Sequence, residues 1–195
     1  MKKVSIADND GEEKLLKIAR AVDEFEVYAS SHARRIAVLS DALARRFNFA
    51  AHDLYILRQA AFLHDIGEMT MNREYIKAER RLSDAERVDV ERHPVIGEQE
   101  AAKRGLSRAV QLLVRWHHEQ WNGGGYPDAI DREQIPLAAR ILRVSDTFAA
   151  LTADRPHRRA IAAEEAKRHL TEGAGIEFDP KIVKIFLSLE ELKES

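Results

Sequence analysis

The chain has 195 residues, no cysteine, and 31 Lys and Arg against 33 Asp and Glu, for a formal net charge of −2. That length is one domain's worth of core, and the balanced charge argues against DNA as a partner. Without thiols there are no disulfides, iron–sulfur clusters or thiolate zinc sites, so any metal must be held by nitrogen and oxygen.

No apolar run approaches the roughly 20 residues that cross a bilayer. Val4 to Ala7 is followed at once by Asp8, Asn9 and Asp10, which is too short for a secretory signal. A cytoplasmic protein with no membrane partner is the expectation. Met1 to Asp10 looks like the first strand of a receiver domain, but a helical pattern begins directly after it. The stretch is therefore expected to be a tail or a strand remnant.

Apolar spacing is helical almost throughout. Leu15, Leu16, Ile18, Ala19, Val22 and Phe25 form one stripe over residues 13–27. His32, Ile36, Leu39 and Leu43 form the next, and Asn48 is placed to end that helix in a left-handed conformation. A third helix is expected over 52–65. Ser83-Asp84-Ala85-Glu86 is a capping box that should start a helix running to about Arg104, kinked or split at Pro94 and stopped by Gly105. Helices over 107–119, from Pro136 to about Ala153, and over 162–172 follow, the last closed by Gly173. A final one has Asp179 as N-cap and Pro180 at its first position. The fold class is all-α, a helical bundle.

Five histidine positions and two aspartates stand out: His32, His64-Asp65, His93, His117-His118 and Asp146. Any one of these histidines alone fits an ordinary core or capping role. As a set on core-facing helices they point to a metal site, because a buried stripe does not hold an aspartate unless it is paired or coordinated. Adjacent residues on a helix point about 100° apart. His64-Asp65 and His117-His118 therefore suit two ions side by side with one bridging carboxylate, the arrangement of two-metal phosphoester hydrolysis. His52, His157 and His169 stand outside the set. The run Gly123-Gly124-Gly125 allows positive φ and a close approach of backbone to phosphate.

These residues carry a resemblance. His64-Asp65-Ile66-Gly67 resembles the signature of the HD superfamily of metal-dependent phosphohydrolases. His117-His118-Glu119-Gln120-Trp121-Asn122-Gly123-Gly124-Gly125-Tyr126-Pro127 is similar to the extended motif of its HD-GYP branch. The similarity continues through Ser145-Asp146-Thr147-Phe148 and Leu151–Pro156 to Phe178-Asp179-Pro180. It implies an HD-superfamily helical bundle over 23–195, with 1–22 as tail and start of the first helix, and the metal site in the core.

The activity implied is a phosphodiesterase acting on cyclic di-GMP, giving pGpG and in many members GMP. The implied cofactors are two divalent transition-metal ions, iron or manganese before zinc. Their ligands would be His64, Asp65, His93, His117, His118 and Asp146, with Asp65 bridging. His32 matches an early family histidine that in some members helps hold a third ion with a carboxylate one turn upstream; here that position is Tyr28, so two ions are expected. Gly125, Tyr126, Pro127, Arg155 and Arg158 would meet the substrate. Other signalling proteins and a second copy of the chain stay open as partners.

Three positions depart from the pattern. Glu68 stands where the family has Lys, Asn122 where Asp is common, and Ala149 at the second Asp of an Asp-x-x-Asp segment. At about 5 Å and an effective dielectric near 20, a unit charge is worth roughly 3 kcal/mol. Glu68 therefore either lowers turnover or takes a catalytic role of its own, as ligand or proton acceptor. The alternatives to the phosphodiesterase are a cyclic-dinucleotide-binding or protein-interaction signalling module, and a hydrolase of another nucleotide.

Overall fold

The computed structural model describes residues 6–155 and 158–189, and every regular element among them is helical. In chain order these are α1 (Ile6–Phe25), α2 (His32–Arg45), α3 (Ala51–Leu63), α4 (Ile66–Met71), α5 (Asp84–Val90), α6 (His93–Lys103), α7 (Arg108–Trp116), α8 (Leu137–Leu151), α9 (Ala163–Glu172) and α10 (Pro180–Phe186). The all-α expectation is met. Residues 6–10 belong to α1 rather than to a tail or strand remnant: the acidic run continues the helix backward from Gly11. His157, set aside in the sequence, lies outside the described residues.

The punctuation behaves as the local chemistry dictates. Ser83 and Glu86 form a reciprocal capping box at the start of α5. Asn48 (φ 58°) and Gly105 (φ 72°) take left-handed backbone after α2 and α6. The helix expected over Ser83–Arg104 is two helices, because Pro94 has no N–H to continue the ladder and occupies the first turn of α6 instead. Asp179 caps α10 by accepting from the Lys181 N–H at 2.8 Å.

α2 packs against α3 and α8, α3 also against α7, and α6 lies across α4 and α7. Ile36, Leu43, Leu57, Leu63, Ile141, Leu142 and Phe148 are fully buried where these helices meet. Each such side chain contributes about 1.5–3 kcal/mol of burial. The crossing of α4 and α6 is made by glycine. A Cβ on Gly67 would lie 2.0 Å from the His93 carbonyl oxygen, and one on Gly97 2.8 Å from Val114 Cγ1. Ala149 is fully buried in α8, an apolar neighbour of this core where a carboxylate would need a partner.

Candidate metal centre

Helix ends converge at one place. His32 is the first residue of α2, His64-Asp65 is the corner between α3 and α4, His93 opens α6, His117 caps the end of α7, and Asp146 projects from the middle of α8. All four of these histidines are at most 2% exposed, and both aspartates are 8% exposed. Asp23 fixes the His32 end. It accepts from the Ser31 hydroxyl at 3.0 Å and from the Ala33 N–H at 3.1 Å, capping α2 from the neighbouring helix.

Ligand atoms gather into two groups that meet at Asp65. Asp65, His93, His117 and His118 form one, and His32, His64 and Asp146 the other, the atoms within each lying no more than 4.8 Å apart. Asp65 Oδ1 faces the first, 3.2 Å from His93 Nε2 and 3.3 Å from His117 Nε2. Asp65 Oδ2 faces the second, 3.0 Å from His64 Nε2. Asp146 Oδ1 lies 3.3 Å from His32 Nε2 and 3.8 Å from His64 Nε2.

The hydrogen bonds on the far side of the rings decide what these nitrogens can do. Nδ1 of His64, His93 and His117 contacts the carbonyls of Ala61 (3.0 Å), Val90 (2.8 Å) and Val114 (2.7 Å). A carbonyl only accepts, so each Nδ1 carries the proton and each neutral ring turns its Nε2 lone pair into the site. Nε2 of His93 and of His117 then face each other at 3.2 Å. Nε2 of His64 and of His32 and Oδ1 of Asp65 have no hydrogen-bond partner. Buried lone pairs aimed at one another call for a cation, and the donor set fits a borderline transition metal. Burial depresses the pKa of His32, His117 and His118, keeping them neutral. For His64, burial is outweighed by the Asp65 charge, and its pKa rises to about 10 without an ion present.

His118 differs from the other three. Arg143 donates to its Nδ1 at 2.7 Å, so the neutral ring carries its proton on Nε2. To ligate, the ring must turn or Arg143 must release it.

The loop after His118 is tied down by two residues of α7 and by Glu119. Arg115 bonds both oxygens of Asp128 at 2.6 Å, Trp116 Nε1 donates to Asp128 at 2.7 Å, and Glu119 accepts from the Asp128 N–H at 2.7 Å. This brings the Tyr126 ring to 4.9 Å from that of His118 and 6.3 Å from that of His93. Of the three glycines only Gly123 has positive φ, at 79°. Gly125 is required because a Cβ there would strike the backbone of residues 118–120 at 2.3–2.6 Å. Its bareness serves a close packing of the chain on itself. Pro127 follows Tyr126 through a cis peptide.

The two arginines part company. Arg155 lies beside the centre, with an Nη2 3.1 Å from Glu26 Oε1 and its guanidinium 4.4 Å from the Tyr28 ring centroid. Arg158 donates to the Ala150 and Leu151 carbonyls and so caps the end of α8. Tyr28 stacks on His32, ring centroids 3.9 Å apart. Glu68 turns inward, Oε1 3.9 Å from His93 Nδ1. Burial and the Asp65 charge push its carboxyl upward. Burial, with Asp65 and Glu68 nearby, pushes that of Glu26 well up. Glu26, Asp23 and Arg143 carry no signal in the sequence, since each reaches its partner only through tertiary packing.

Known proteins resemble this chain. The family described as HD domain matches residues 18–182. The chain is 32% identical over 178 residues to the cyclic di-GMP phosphodiesterase response regulator RpfG of Xanthomonas campestris, covering 90% of this chain and 47% of that protein. It is 32% identical over 162 residues to 3'3'-cGAMP-specific phosphodiesterase 3 of Vibrio cholerae, covering 83% of this chain and 35% of that protein. Over 174 residues it is 34% identical to the cyclic di-GMP phosphodiesterase PA4108 of Pseudomonas aeruginosa, covering 89% and 42%. The chain thus spans less than half the length of these relatives. The solved structure of a V. cholerae cyclic GMP-AMP phosphodiesterase, V-cGAP3, shares the fold with a TM-score of 0.71 at 22% identity, over 94% of this chain and 48% of that one. The HD-GYP resemblance of the motifs, the family match and the converging histidines agree, and the chain belongs to the HD domain family, in its HD-GYP branch.

Proposed function

We propose that the chain is a metal-dependent phosphodiesterase that opens a 3′–5′ linkage of a cyclic dinucleotide, with cyclic di-GMP preferred and pGpG the first product. The observation that carries this reading is Asp65, whose two oxygens face two separate groups of ligands. Two divalent transition ions, iron or manganese before zinc, suit these groups. Bound there, they supply Lewis-acid polarisation of the phosphoryl oxygen and a lowered pKa for water.

The chain's own residues do the rest. The carbonyls of Ala61, Val90 and Val114 orient the imidazoles. Tyr126 offers an aromatic face beside His118, and Arg155 a fixed positive charge beside Glu68. Two relatives are named as 3'3'-cGAMP-specific phosphodiesterases, which favours a second reading in which the hybrid dinucleotide is the substrate. A domain that binds the nucleotide without turnover is the reading that Glu68 favours.

The test is product analysis with cyclic di-GMP, 3′3′-cGAMP and cyclic di-AMP at matched metal occupancy. Fastest conversion of cyclic di-GMP to pGpG supports the first reading, and faster 3′3′-cGAMP conversion the second. Binding without products from any of the three would leave a signalling module.

A further inference from the structure

Beside the two histidine-rich groups lies a third cluster of a different kind. One carboxylate oxygen each from Glu26, Asp65 and Glu68 falls within 4.8 Å of the others. The Glu26 side chain is 1% exposed, its Oε1 is taken by Arg155 at 3.1 Å, and its Oε2 is buried with no hydrogen-bond partner. Ionised, Glu26 and Glu68 repel one another and Asp65, and either a proton shared between Glu26 and Glu68 or a cation among the three relieves this. Asp65 is engaged by His64, His93 and His117, which leaves Arg155 to face both Glu26 and Glu68. The Glu68 end reaches a cavity of about 270 Å³ lined also by Tyr75, Arg80, Arg81 and Arg155, which gives the cluster a route to solvent.

We propose that Glu26, Glu68 and Asp65 form a third cation position, built from oxygen alone and selective for a hard divalent ion such as Mg2+ or Mn2+. It rests on the metal-centre reading above and adds to it. Imidazole-rich groups hold iron, manganese or zinc, whereas a set of carboxylates without imidazole suits Mg2+, Mn2+ or Ca2+. The position is on the Glu68 side of Asp65, whereas Tyr28, where the resemblance puts a carboxylate for a third ion, stacks on His32. It also gives Glu68 a function: the positive charge that a lysine would carry at this point is supplied by an ion that the glutamate holds.

The experiment is a titration of chelator-stripped protein with Mn2+, reading free Mn2+ by its EPR signal. Wild type should bind three ions per chain, and millimolar Mg2+ should displace one of them while two remain. Glu26→Gln with Glu68→Gln should bind two, neither displaced by Mg2+. Glu68→Lys, whose ammonium fills the position directly, should also stop at two and serves as the second variant if the first fails to fold. Saturation of wild type at two ions, or three ions in both variants, overturns the third position and leaves the two-ion reading standing. Saturation below two overturns the metal-centre reading and this inference with it.

Discussion

Asp65 is the residue on which the centre turns, because it alone touches all three ligand clusters. Asp65→Ala should therefore remove nearly all bound metal, to below about half an ion per chain, whereas His32→Ala should remove only the ion of its own group. Metal analysis of the purified variants checks this, and equal losses would show that the groups do not share a ligand. The same residue sets the pH response of the metal-free protein. The His64 pKa is raised from the ordinary value near 6.5 to about 10, so its stabilisation is complete below about pH 6.5 and is lost as pH rises through 10. Asp65 is held well below the usual carboxylate range, burial being overcome by His64 and by contacts with His117 and His93. Its share is present above about pH 3.8 and is lost as pH falls through its lowered value. Metal must displace the His64 proton, so affinity should climb between about pH 6 and 9 with proton release measurable in a weakly buffered titration. The histidines and Asp146 are legible in the sequence because paired histidines and an aspartate on apolar stripes are conspicuous. Glu26 is not, since its meaning comes from Arg155, 129 residues away.

At the scale of elements, the metal groups depend on how closely α4 lies on α6. Gly67 sets that distance: the Cβ of an alanine would sit 2.0 Å from the His93 carbonyl oxygen, which is backbone and cannot swing aside. Gly67→Ala should cost about 3 kcal/mol or more and separate Asp65 from His93. Reduced metal content together with a lower denaturant midpoint is expected, and normal metal content would show that the crossing can slide. Element boundaries were legible wherever a side chain or a glycine closes the backbone locally, as at Ser83, Asn48, Gly105 and Asp179. They were not legible where closure is tertiary. α2 is capped by Asp23 from another helix. Gly125 packs against the backbone of residues 118–120, a need that spacing alone does not reveal.

For the whole molecule, the ligands come from five helix positions spread between residues 32 and 146, four of them histidines almost without exposure. Bound ions therefore fasten together helices far apart in the sequence, and holoprotein should melt well above the stripped protein, the difference growing with free metal as mass action requires. A clasp of this kind also governs how fast it can be undone. An ion held by imidazoles fixed at helix termini leaves only when a terminus carries its ligand away, so extraction by EDTA should become independent of EDTA concentration once the chelator is in excess. The plateau rate is then the opening rate of the bundle itself. It should agree with the slow amide exchange of the α2 and α6 first turns, making the ions a clock for a motion that no substrate is needed to observe.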